Sequence, residues 1–154
     1  MAFDTQSFLS SATTSANDTR VIPCPVGTYQ ALIEKVEARQ WQSKDGSKSG
    51  VALDVTWSIE DADVKSALNR ENVSVRQGVM LDTKVTAEGK IVLDDSTGKN
   101  IGLGRLREAV GKNRPGETFS FDMLPGLMAN VTVSHREGET SDDVFPEIKK
   151  VGRL

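Results

Sequence analysis

Hydrophobic and polar positions alternate most cleanly in "GVALDVTWSIE". Val51, Leu53, Val55, Trp57 and Ile59 fall on one side, and Ala52, Asp54, Thr56, Ser58 and Glu60 on the other. A period of two in β-branched and aromatic residues predicts a half-buried antiparallel strand. Looser alternation from Thr28 to Trp41 predicts a long strand before it, and the polar stretch 42–50 joins the two as a hairpin with a long tip. Ahead of them, Pro23, Pro25 and Gly27 in "IPCPVGTY" mark a turn into the first strand. Residues 61–69 read as a helical turn or a loop. "NVSVRQGVMLDTKV" resumes β-like content, with Gly78 as a bulge or bend, and "AEGK" turns the chain into the short segment "IVLD".

The periodicity changes at "NIGLGRLREAVG". Leu103, Leu106 and Val110 recur at helical spacing with Ala109 beside them, and Gly111 is placed to stop the helix. "ETFSF" adds a short strand or tucks aromatics under the sheet. "LMANVTVSHREGE" and "PEIKKVGRL" read as two closing strands joined by an acidic turn. Five strands with one helix between the third and fourth describe a mainly β chain: an OB-like five-stranded antiparallel barrel over residues 21–154. Another small β-barrel or an α+β sandwich has the same elements. Residues 1–20, rich in Ser, Thr, Asp and Asn, read as a flexible N-terminal arm whose Phe3, Phe8 and Leu9 offer a grip on a neighbouring subunit.

A chain of 154 residues suffices for one core, and no run approaches the ~18 apolar residues of a membrane span. The N-terminus has no basic start followed by an apolar stretch, so a secretory signal is not expected. One cysteine, Cys24, excludes an internal disulfide and leaves no zinc-type cluster, which suits a reducing cytoplasm. The net charge of −3 exerts no overall pull on nucleic acid. Its distribution is uneven. Acidic groups gather at Asp54, Glu60, Asp61 and Asp63 and at Glu137, Glu139, Asp142 and Asp143. Basic groups gather at Lys99, Arg105, Arg107, Lys112 and Arg114 and at Lys149, Lys150 and Arg153.

Motifs for catalysis are weak. "GLGRLRE" has Arg107 where a dinucleotide fingerprint needs its third glycine, and "GKN" at 98–100 lacks the remaining residues of a triphosphate loop. His135, the one histidine, reads as a surface or edge-strand residue, and Cys24 as a packed small side chain. Glu147 and Lys149, two apart in "PEIKK", would share a strand face. A metal-dependent nuclease places a carboxylate and a lysine in that way, but needs a further aspartate, Asp122 or Asp94, from another strand. No cofactor or metal is expected.

The pieces "VIPCPVGTYQALIEKVE", "GVALDVTWSIE", "NIGLGRLREAVG", "LMANVTVSH" and "FPEIKKV", spanning residues 21–151, resemble small bacteriophage single-stranded-DNA-binding proteins in layout and short motifs. The resemblance implies a non-enzymatic, OB-type protein that protects or presents single strands in phage DNA replication and recombination. It would work in the cytoplasm of an infected bacterial host, as a homo-oligomer or beside phage replication proteins. The ending "KKVGRL" departs from the acidic partner-recruiting tail of many replication single-strand binders.

Binding of this kind needs a positive groove and exposed aromatic faces. Trp57 falls on the apolar side of its strand and reads as core, as do Phe119 and Phe121. Tyr29 and Trp41 remain as stacking candidates. Arg39, Lys44 and Lys48 surround Trp41 at the hairpin tip, and Arg76, Lys112 and Arg114 are further phosphate candidates. Trp41 has two readings: a base-stacking platform, or a cap on the end of the barrel. The same small β domain would also serve as a virion or assembly protein docked through its arm.

Overall fold

The computed structural model describes residues 2–138 and 144–154. A short helix α1 (Thr5–Leu9) precedes the long β1 (Gly27–Gln42), β2 (Ser49–Ile59), α2 (Ala62–Leu68) and β3 (Ser74–Leu81). A small ribbon of β4 (Thr83–Val85) and β5 (Ile91–Leu93) leads to α3 (Ile101–Ala109). A single 3-10 turn (Phe121–Met123), β6 (Met128–Glu137) and β7 (Val144–Gly152) complete the chain.

Five strands form one antiparallel sheet in the order β3-β2-β1-β6-β7, and β4 and β5 pair separately. The expected mainly β architecture and its long hairpin are present. Two details are corrected. The sheet is not closed: β3 and β7 approach one another across a seam, with α3 against both, but no ladder joins them among the described residues. The expected single helix is also not what forms, since α2 lies between β2 and β3 and α3 follows the β4–β5 ribbon. The acidic turn expected between the closing strands includes Glu139, Asp142 and Asp143, which lie outside the described residues.

The sheet curls around a core of Ile33, Leu53, Val55, Trp57, Ile59, Val75, Val131 and Val133. Trp57 is fully buried, and its indole N–H is satisfied at 2.8 Å by Gln77 Oε1, so its burial strands no donor. Leu103, Leu106 and Ala109 bring α3 onto this core, as their helical spacing requires, and Gly111 follows at φ 75°, a conformation that favours glycine. Phe119 and Phe121 pack at its margin, edge to face at 5.8 Å. Asn100 pins the start of α3. Its side chain donates to the carbonyls of Asp82 (3.0 Å) and Asp94 (2.8 Å) and accepts from Asp82 N–H (2.8 Å).

Gly78 is not a bulge; the β2–β3 register runs through it, opposite Asp54. The bulges lie elsewhere. Between Ile33 and Lys35 the β1–β2 register slips by one, leaving Glu34 as the extra residue. Between Val133 and Thr132 the β6–β7 register slips likewise, leaving Lys149 extra.

Candidate nucleic-acid interface

The bulge at Glu34 resets which side chains of β1 face outward. Before it, Tyr29, Ala31 and Ile33 point to the core; after it, Val36, Ala38 and Gln40 take the inward side and Lys35, Glu37, Arg39 and Trp41 the outward one. Across the ladder, these outward residues sit beside Thr56, Asp54, Ala52 and Gly50 of β2. On β3 the same row continues as Arg76, Gly78 and Met80.

The outcome is a sheet face with a low floor of Gly50, Ala52 and Gly78, bordered by Trp41 and Arg39 on one side and Arg76 and Met80 on the other. Met80 is 58% exposed. Ala52 has no exposed surface although it points outward, because longer neighbours Arg39 and Met80 stand in register on either side. Clean alternation along β2 gave a half-buried strand. Its small outward residues Ala52, Thr56 and Ser58 are nevertheless covered.

Trp41 lies across Gly50. A Cβ built on that glycine would come within 2.8 Å of the indole Nε1 and 2.9 Å of two ring carbons, so only glycine admits the ring so close to the backbone. The indole N–H is buried in this position and has no hydrogen-bond partner among the described residues. An unmade bond of this kind costs about 1–3 kcal/mol. The ring is partly exposed, and it is the one aromatic side chain on this face of the three strands.

Arg39 donates Nε–H to Asp54 Oδ2 at 3.0 Å and Nη2–H to Asp54 Oδ1 at 3.5 Å, and that carboxylate raises the guanidinium's pKa. A guanidinium carries five N–H donors, so three of Arg39's remain for another acceptor. Lys35 pairs with Glu37 at 3.2 Å, whereas Arg76 forms no ion pair with a described residue.

Lys44 and Lys48 sit exposed in the hairpin tip beyond Trp41. Asp45 organises that tip by accepting from Ser43 Oγ–H (2.6 Å), Ser47 N–H (3.0 Å) and Ser47 Oγ–H (2.7 Å). Those bonds, the one from Ser43 foremost, lower its pKa to about 2.

The remaining candidates are placed elsewhere. Tyr29 faces the core side, and its hydroxyl donates to Pro25 O at 3.0 Å; burial raises its pKa. Lys112 and Arg114 lie exposed in the loop after α3. Lys112 gives its carbonyl to Arg107 Nε, and Arg114 lies 3.9 Å from Glu117. Thus Arg39, Trp41 and Arg76 share one face with the lysines of the tip at its end, and Tyr29, Lys112 and Arg114 do not join them.

The two basic groups separated along the chain meet in part. Lys99 and Arg105 of α3 and its approach, and Lys149, Lys150 and Arg153 of β7, line a single cleft of about 880 Å³ at the β3–β7 seam.

The geometry of the catalytic motifs is less suggestive. Glu147 lies in register with Ser134, on the side of the sheet away from the core, and Lys149 is the extra residue of the bulge two positions on. Among the described residues no group of three or more His, Cys, Asp or Glu side chains is placed to hold a metal ion. His135 is exposed, with Nε2 2.7 Å from the carbonyl oxygen of the buried Cys24. Burial raises the Cys24 thiol's pKa. No helix among the described residues is long and apolar enough to cross a membrane.

No family model matches this chain, and no curated protein sequence matches it either.

Proposed function

We propose that the protein binds single-stranded DNA without catalysing a reaction on it, through the outward face of β1, β2 and β3. The observation that carries this reading is the placement of Trp41, Arg39 and Arg76 on one outward face, in the same rows as the small residues Gly50, Ala52 and Gly78. An aromatic ring and cations along one sheet face supply the stacking and phosphate contacts that sequence-tolerant single-strand binding requires.

An OB-like reading of the fold fits this role. The order β3-β2-β1-β6-β7 is that of a five-stranded barrel opened between its third and fifth strands, and OB folds are partly open Greek-key barrels. In that fold, ligands lie on the second and third strands beside the loop joining the first two, where Lys44 and Lys48 project here. The resemblance to phage single-strand binders points to replication and recombination as the setting.

The test is equilibrium binding of labelled oligo-dT and of a duplex of equal length across a range of salt concentrations. Preference for the single strand, with affinity falling as salt rises, supports the reading. Absence of oligo-dT binding at low salt rejects it.

One observation favours a second reading, as an assembly protein. Phe3, Phe8 and Leu9 are all exposed at the end of the arm, with the Phe3 and Phe8 rings against each other at 5.4 Å between centroids. Mass measurement of the full chain and of a chain lacking residues 1–20 tests this: an assembly lost with the arm supports it, and equal masses reject it.

A further inference from the structure

We infer that the cleft between α3 and β7 is a second contact for the phosphate backbone of the same DNA strand, continuing from the outward face over the edge of β3. This inference rests on the single-strand reading above and extends it to residues outside the face that carries Trp41.

The charge of the two places decides the argument. On the outward face, Lys35, Arg39 and Arg76 are offset by Glu37 and Asp54, two of the three cations being paired. The cleft holds Lys99, Arg105, Lys149, Lys150 and Arg153 against one carboxylate, Glu108. Arg153 engages that carboxylate and also donates Nε–H to the Glu108 carbonyl at 3.2 Å, tying the end of β7 to α3. Lys99, Arg105, Lys149 and Lys150 form no ion pair with a described residue. A concave wall lined by unpaired charges of one sign focuses potential and draws a polyanion far more strongly than the balanced face can.

The backbone is arranged to make this cleft. Ile148 and Val151 lie in register with the buried Val133 and Val131 and pack against the core. Strict alternation would place residues an odd number apart on opposite faces. The bulge at Lys149 restores both to the inner side and presents Lys149 and Lys150 together away from it. On the opposite wall, Gly104 leaves the cleft open, since a Cβ there would meet nothing within 4 Å.

β3 links the two places. Arg76 belongs to the outward row, while the next residue, Gln77, lines the cleft. A flexible single strand can follow that edge, whereas a stiff duplex cannot turn over it within so short a distance.

The experiment measures oligo-dT affinity against salt for the wild type, for the double variant Lys149→Gln/Lys150→Gln, and for Gly104→Glu. The last adds a carboxylate to the cleft at a position where any side chain finds room and where glycine is a poor helix former. Each phosphate contact on a single strand adds about 0.7 to the log–log salt slope, so losing two lowers it by about 1.4. At about 0.1 M salt this corresponds to roughly 25-fold weaker binding when the lines converge near 1 M. Gly104→Glu is expected to lower affinity and slope in the same direction, with circular dichroism unchanged.

If both variants keep the wild-type affinity and slope while the wild type binds oligo-dT, the cleft is not a contact and the reading of the outward face stands. If the wild type itself does not bind, both fall.

Discussion

Tyr29 and Trp41 occupy the same strand and the same sequence parity, yet they face opposite sides of the sheet, because Glu34 is the extra residue of a bulge between them. Tyr29 turns inward to hold the chain's approach to the sheet through Pro25, and Trp41 turns outward onto Gly50. The two aromatics therefore separate in experiment. Tyr29→Phe is expected to lower stability by about 1 kcal/mol through loss of its hydroxyl bond, with oligo-dT affinity unchanged within error. Urea denaturation and a binding isotherm on the same preparation check both halves.

Gly50→Ala tests the seat of Trp41. The added methyl would stand 2.8 Å from Nε1, so either the ring or the strand has to move. Overpacking of this kind costs about 1–3 kcal/mol. The expected result is a lower urea midpoint with a red-shifted emission as the indole leaves the backbone. Wild-type emission and stability would show that the ring does not lie on this glycine.

Asp54→Asn removes the carboxylate that occupies part of Arg39 and leaves the face more positive. Oligo-dT binding is expected to tighten severalfold at low salt, and the gain to fade as salt rises. A weaker affinity in the variant would mean that Asp54 serves the interface by positioning Arg39.

Acid titration reports on the hairpin tip. The Asp45 carboxylate, depressed to about 2 from 3.8, stabilises the ordered tip fully above its unfolded value. Its contribution declines as pH falls from there through the folded value. Following the Asp45 carboxyl carbon and the Ser47 amide by NMR should give a midpoint near 2, and a midpoint near 3.8 would show that the hydrogen bonds from Ser43 and Ser47 do not form in solution.

Asn100 fastens α3, and with it one wall of the basic cleft, to Asp82 and Asp94. Asn100 also sits at φ 56°, a left-handed conformation that asparagine tolerates better than alanine. Asn100→Ala is expected to cost about 1–3 kcal/mol in urea denaturation, and Asn100→Gly, which relieves the backbone but not the lost bonds, somewhat less.

What could be read from the sequence was whatever depends on local periodicity. The alternation from Val51 to Ile59 located β2 and assigned Trp57 to the core, and the spacing of Leu103 and Leu106 with Gly111 located α3. What could not be read depends on the partner strand. Nothing in "ALIEKVE" announces that Glu34 is extra, so Tyr29 and Trp41 appeared equivalent. Nor does "PEIKKV" reveal that Lys149 is extra, and that bulge is what gathers two lysines opposite α3. Gly78 drew attention as a bulge because glycine commonly marks one, whereas here its value is a floor without a side chain.

The central claim is most directly tested by tryptophan fluorescence during oligo-dT titration of the wild type, Trp41→Phe and Trp41→Ala. Trp57 is buried and hydrogen-bonded to Gln77, so quenching on binding should come from Trp41. The expected result is quenching in the wild type, its loss in Trp41→Phe with most of the affinity kept, and affinity lowered about 5- to 150-fold in Trp41→Ala, the equivalent of one stacked base. Quenching and affinity that survive Trp41→Ala unchanged would contradict the account, and so would the absence of binding at low salt.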